Sequence, residues 1–336
     1  MKWFLLAFLV LVLCVGGFGF YHYHAMQQWM DTPYKSDSQS VVIDLPKGSS
    51  VRGALHFLVK QGLVAPSPYI RLVGKIGATV PAIQTGEYEL SASQSPLALL
   101  HVLAKGKVKT YSFTIPEGYT VKEIADVLEK KGYATKREIL ALASDKEFLK
   151  SLGISSLEGY LFPDTYAISK GKNARQILGM MVQTFNKQFS PSLIAEAKRK
   201  GLTAKRVLIM ASIIEKEAGS PKEYPLIGSV IHNRIKKGMM LQMDPTVIYG
   251  IKNFDGNLRR KHLRTDHPWN TYTRFGLPIT PICNPGLGAI KGAISPETTN
   301  YLYFVSMNNG AHIFTSTLKD HNHAVRKYQI LRKKGR

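Results

Sequence analysis

Cysteine is nearly absent from this chain: its 336 residues include two, Cys14 and Cys283. Cys14 lies in a long apolar run and Cys283 stands alone, so no intrachain disulfide framework exists. Stability has to come from ordinary cores. Acidic residues are scarce as well. Against 45 Lys+Arg there are 23 Asp+Glu, a formal net charge of +22. Such an excess points to an anionic partner: nucleic acid, lipid headgroups or an acidic polymer. No basic-helix, zinc-finger or RNA-binding motif is present, which argues against nucleic acid. The basic tail Arg326–Arg336 reads as a solvated helix end. There is no HExxH, and the close histidine pair outside the His22/His24 interfacial stretch, His321/His323, reads as surface residues. Neither a metal nor another cofactor is expected.

What the chain has instead begins with an apolar run. Trp3 to Phe20 carries no charge and is about long enough to cross a bilayer. A cleaved signal peptide would have a shorter apolar core and a small-x-small site. Here the run is followed by Tyr21-His22-Tyr23-His24, which suits an interfacial belt. Leu13 stands where a lipid-attachment cysteine needs a small residue before it. The reading is one uncleaved span, residues 1–22. Lys2 places the N-terminus in the cytoplasm and the rest outside it. Residues 23–40 read as a polar, irregular spacer.

Beyond the spacer the patterning is α+β: a small region, residues 41–112, then a larger mixed region, residues 113–336. Val41-Val42-Ile43 is strand-like, Leu45–Ser49 is a turn, and an amphipathic helix over Val51–Gln61 stops at Gly62. The pattern returns at an offset of 70 residues, aligning Pro46 with Pro116, Gly48 with Gly118, Val51 with Val121, Leu58 with Leu128 and Gly62 with Gly132. Two copies are too few for a solenoid but indicate a module used twice. A strand, a Pro-x-Gly turn and a helix resemble the LysM glycan-binding module. Further on, Leu157–Tyr166 is dense in aromatic and polar groups, and Pro163 prevents a regular helix there.

The larger region is organised around Arg206–Ser220, RVLIMASIIEKEAGS. At about 100° per residue this run is apolar almost all round, which predicts a helix buried in a core. On the helical wheel Glu215 neighbours Leu208, Ala211, Ser212, Ala218 and Gly219, a mostly small face that leaves room beside a carboxyl. Glu217 falls nearly opposite, beside Met210 and Ile213, on a face that reads as packing. Gly219 and Pro221 end the helix, so both acids lie in its last turn. There burial and the negative end of the helix dipole disfavour ionisation. A carboxyl kept protonated beside open space is what a general acid requires. Glu215 is therefore the expected catalytic residue. Loops fixed by proline and glycine follow, around Met239–Thr246 and Trp269–Gly286, where substrate contacts are expected.

Taken together, LEGYLFPDTY (157–166), ASIIEKEA (211–218), His232-Asn233-Arg234, LQMDPTVIY (241–249), Asn270-Thr271-Tyr272 and Tyr301–Val305 with His312 resemble the MltG/YceG-like endolytic murein transglycosylase family. One departure is Ile279-Thr280, where the family usually follows Gly-Leu-Pro with Pro-Gly. The resemblance implies an inner-membrane enzyme on the extracytoplasmic side, with a LysM-like subdomain ahead of a catalytic domain. Its substrate would be peptidoglycan, cut at the β-1,4 bond from N-acetylmuramic acid to N-acetylglucosamine with 1,6-anhydro ends. Release of nascent strands would bring it close to peptidoglycan synthases. Glu215 would act as acid and then base. Glu158, Gln242, Asp244, Asn270 and Tyr272 would position acetamido groups and stabilise oxocarbenium-like charge, with Asn233, Arg234 and His312 behind them. The rivals are a two-carboxylate hydrolase using Asp244 or Glu158, and a non-catalytic glycan-binding scaffold at the membrane. A pyridoxal-phosphate lyase would need a Schiff-base lysine in a phosphate site and would gain nothing from a span.

Overall fold

A computed structural model describes residues 2–76 and 82–331. The chain divides into two compact units, Met1–Tyr111 with Ala167–Gly171, and Ser112–Tyr166 with Lys172–Arg336. The class is α+β. Among the described residues the strands form three two-stranded sheets.

The first unit begins with α1 (Lys2–Asp31). Its residues 2–21 are exposed, and burial begins only beyond them. This corrects the expected irregular spacer, because residues 23–31 continue the helix. Met26, Trp29 and Met30 recur at helical spacing and give that polar-looking segment an apolar stripe. Met26 and Met30 bury against Leu55, Ile70, Val73 and Leu100, and the Trp29 indole donates to the Ala65 carbonyl (3.1 Å).

The strands β1 (Val41–Leu45) and β2 (Gly86–Leu90) pair antiparallel, with Ile43 opposite Tyr88. Alternation turns Ile43, Leu45, Tyr88 and Leu90 inward onto α2 (Val51–Lys60) and α4 (Pro96–Ala104), while α3 (Ile70–Ile76) packs beside α2. The strands β3 (Thr110–Thr114) and β4 (Thr165–Ser169) form a second pair.

The 70-residue offset is visible in the backbone. Gly48 and Gly118 share φ +76°, and Gly62 and Gly132 end their helices at φ +69° and +72°. Only glycine takes this left-handed region without strain. Ser50 caps α2, and Thr120 caps α5 (Val121–Lys130) in a reciprocal bond with Glu123.

In the second unit α6 (Lys136–Ser144), α7 (Lys146–Ser151), α8 (Ala174–Gln188) and α9 (Pro191–Arg199) lead to α10 (Ala204–Glu217). Every residue of α10 from Val207 to Ile214 is buried. It packs mainly on α14 (Leu287–Ile294) and α11 (Tyr224–Lys236), and also touches α12 (Asp244–Gly250). Gly228 and Gly292 let α11 and α14 approach until backbone meets backbone, since a Cβ on Gly228 would run into the Gly292 carbonyl. Each large aliphatic side chain buried here is worth roughly 2 kcal/mol. A short α13 (Arg260–Arg264) precedes the Trp269–Gly286 loops, and β5 (Tyr303–Ser306), β6 (His312–Thr315) and α15 (Leu318–Val325) close the unit. The aromatic segment 157–166 turns inward: Phe162 and Tyr166 are buried, and Tyr166 stacks on Phe113.

Candidate active site

The last turn of α10 points its two acids to different places. Glu217 opens into a cleft of about 550 Å³, together with Arg234, Gln242, Asp244, Tyr272, Tyr303 and His312. Its carboxyl accepts no hydrogen bond from any described residue. Burial pushes it up to about 8, the Asp244 charge adds to this, and Arg234 partly offsets it. At neutral pH Glu217 therefore carries a proton it can give away.

The walls of the cleft are tied together by hydrogen bonds. Burial and the Asp244 carboxylate push the Tyr272 phenol up, so it stays a donor, and its Oη donates to Asp244 Oδ1 (2.6 Å). Asp244 opens α12. Just before it Gln242 adopts φ +49°, a left-handed conformation that costs a non-glycine residue about 1 kcal/mol or more. The strain is held by the Gln242 N–H on the Thr271 carbonyl (3.1 Å) and the Met243 N–H on Thr271 Oγ1 (3.0 Å). Arg234 is buried, with Nε on the Leu302 carbonyl (2.6 Å) and Nη1 on that of Leu241 (2.7 Å), and its guanidinium lies over Tyr303. Glu223 is also buried. Burial works against its ionisation, but three donors outweigh this and hold it below the usual range: the His312 ring and the backbone N–H groups of His312 and Gly219. Glu223 thus ties the segment after α10 to β6.

Comparison with known proteins gives the family. The YceG-like family model matches residues 43–327. The chain belongs to the YceG-like family. It is 32% identical to the endolytic murein transglycosylase of Bacillus subtilis (strain 168) over 319 residues, spanning 88% of this chain and 87% of that one. It is 29% identical to the protein of the same name from Streptococcus pneumoniae serotype 2 (strain D39), over 96% of this chain and 65% of the other. A crystal structure of a YceG-like protein from Listeria monocytogenes superposes with a TM-score of 0.59 at 31% identity, covering 85% of this chain and 99% of that one.

Within this YceG-like chain three of the six expected site residues, Gln242, Asp244 and Tyr272, line the cleft of Glu217. The other three do not. Glu215 accepts from Tyr224 Oη on Oε1 (2.8 Å) and from the Gly286 N–H on Oε2 (2.8 Å), tying α10 to α11 and to the start of α14. The small face around it admits backbone rather than a ligand: Gly118 packs on the Glu215 stem, and Ser212 Oγ accepts the Ile282 N–H (3.0 Å). The wheel reading of the two acids is corrected accordingly.

Asn270 is fully buried. Its Nδ2 reaches the carbonyls of Leu263 (3.1 Å) and Thr265 (2.7 Å), and its Oδ1 accepts the Tyr272 N–H (2.8 Å). Its side chain thereby orients the Tyr272 backbone. Glu158 lies in a different cleft, about 980 Å³, beside Lys216 and Tyr249. Burial pushes Glu158 up to about 8, and its oxygens accept from Tyr249 Oη (3.0 Å), Asn284 Nδ2 (3.0 Å) and the Val121 N–H (3.1 Å). It fastens the start of α5 to the 281–286 loop. Asn233 is spent on the carbonyls of Thr299 (2.9 Å) and Tyr301 (3.0 Å). At the Ile279-Thr280 departure, Thr280 Oγ1 accepts from the Trp269 indole (2.8 Å), which pins the loop locally. Glu223 was not singled out in the sequence, where Gly219 and Pro221 read only as the end of the acid-bearing helix.

Proposed function

We propose that this chain is a peptidoglycan lytic transglycosylase in which Glu217, not Glu215, is the general acid. The observation that carries the reading is a protonated, unbonded carboxyl in a cleft shared with the Asp244–Tyr272 pair. Relatives named endolytic murein transglycosylase supply the substrate class.

Glu217 gives its proton to the glycosidic oxygen as the bond from the muramyl anomeric carbon breaks. The muramyl C6 hydroxyl oxygen closes on that carbon, and the Glu217 carboxylate takes the hydroxyl proton. The acid is regenerated and no water is consumed. Asp244, held by Tyr272, faces the developing positive charge, and exposed Gln242 is placed for the acetamido group. In this reading α1 carries an uncleaved inner-membrane span, and the chain beyond that span lies on the extracytoplasmic side. The LysM-like first unit holds glycan, and peptidoglycan synthases that extrude nascent strands are the neighbours it serves.

A second reading has one observation in its favour. Glu217 and Asp244 share a cleft, which is also what a two-carboxylate hydrolase needs. Digestion of purified peptidoglycan by the full-length protein, with products weighed by mass spectrometry, separates the two. Anhydro ends, one water lighter than reducing ends, support the transglycosylase; reducing ends assign a hydrolase.

A further inference from the structure

The uncharged run of α1 ends at Phe20, and residues 2–21 are all exposed. Among the described residues, contact with the rest of the first unit starts at His22, whose Nδ1 lies 3.0 Å from Tyr69 Oη. At the α-helical rise His22 stands roughly 3 Å beyond Phe20. The polar layer of one leaflet is about 5–8 Å thick. If the run spans the hydrocarbon core, Tyr69 and the helix that follows it stand at headgroup depth.

That helix is α3. It turns Ile70 and Val73 inward against Met26, Met30, Leu55 and Leu100. Its outer face carries Arg71, Leu72 and Lys75, all exposed, with Leu72 at 41%. Arg52 of α2 packs against Gly74 and adds a third cation. From Leu45 to Gly86 there is no Asp or Glu, while Lys47, Arg52, Lys60, Arg71 and Lys75 all fall in that stretch. An exposed leucine between two cations, at this depth, matches what interfacial helices use on anionic lipid.

We propose that α3 seats the first unit on the membrane that α1 crosses. Arg71 and Lys75 meet anionic lipid phosphates, and Leu72 dips toward the acyl-chain ends. The inference rests on the reading of α1 as an uncleaved span.

The test uses the full chain in nanodiscs of zwitterionic lipid, with and without phosphatidylglycerol. A nitrobenzoxadiazole label goes either on native Cys14 or, in a Cys14→Ala background, on Leu72→Cys. Cys283 is buried with its thiol pushed well up, so it stays unlabelled. A label on Cys14 should be quenched by lipids spin-labelled at mid-chain; if it is not, the span itself fails. With the span intact, the label at Leu72→Cys should lose about half or more of its emission to headgroup-level spin labels. The loss should be larger with phosphatidylglycerol, and Arg71→Glu with Lys75→Glu should remove that lipid dependence. The same label at Lys75→Cys should behave alike, which guards against local damage at Leu72. Water-like emission at both positions beside a quenched Cys14 would overturn the proposal.

Discussion

Glu215 and Glu217 stand two residues apart on one helix and are held in opposite ways. Glu215 sits between a phenol and a backbone N–H, each at 2.8 Å, in a shell made of other helices. Among the described residues Glu217 has no such partner, and it faces a cleft that also carries Asp244, Tyr272 and Arg234. A satisfied carboxylate welds a fold, whereas an unsatisfied and desolvated one is available for proton transfer. The same pairing distinguishes the two clefts. The larger, about 980 Å³, contains an acid whose oxygens are committed to structure; the smaller, about 550 Å³, contains the free one. Volume alone does not separate the two clefts; the hydrogen bonding of their acids does.

The contrast can be broken in order of effect. Glu217→Gln should lower turnover on peptidoglycan by about a thousandfold, the scale of a lost general acid, while its melting temperature stays equal or rises. Tyr272→Phe leaves Asp244 without its donor and should cost roughly tenfold in turnover, with little loss of stability. Activity should also depend on pH through Glu217. Its carboxyl, raised to about 8, gives a rate that is sustained at neutral pH and falls as pH climbs through that value.

Stability carries the same sign. Glu217 holds its proton in the folded state after the unfolded chain has lost it. Its contribution is therefore full below the ordinary carboxyl range, declines as pH rises toward about 8, and is absent above. Chemical denaturation of wild type and Glu217→Gln at several pH values measures that difference. Glu215→Gln is expected to destabilise by about 1–3 kcal/mol in denaturant titrations, with turnover of the folded fraction within a few-fold of wild type.

Much of this was legible in the chain. The buried run of α10 follows from its apolar periodicity, and the twice-used turn follows from Gly48/Gly118 and Gly62/Gly132, which need positive φ. Gln242, Asp244 and Tyr272, named through the family resemblance, share one cleft in the structure. The differences in side-chain surroundings have one physical source. A helical wheel shows which residues are small but not what fills the space beside them. Around Glu215 that space holds Gly118 and the 281–286 loop, more than sixty residues away in sequence for the latter. Asn270 likewise looked like a sugar contact, since nothing local reveals that its amide is spent on the backbone of α13 and the loop after it. The helical end of α1 was hidden by glutamines lying between Met26 and Met30.

The account stands on which of the two acids moves the proton. The most direct measurement digests one peptidoglycan preparation in parallel with wild type, Glu217→Gln and Glu215→Gln, counting 1,6-anhydro ends per folded molecule. Anhydro ends from wild type and Glu215→Gln, with almost none from Glu217→Gln, are the predicted result. Loss with folded Glu215→Gln and retention with Glu217→Gln would contradict it and return the catalytic role to Glu215.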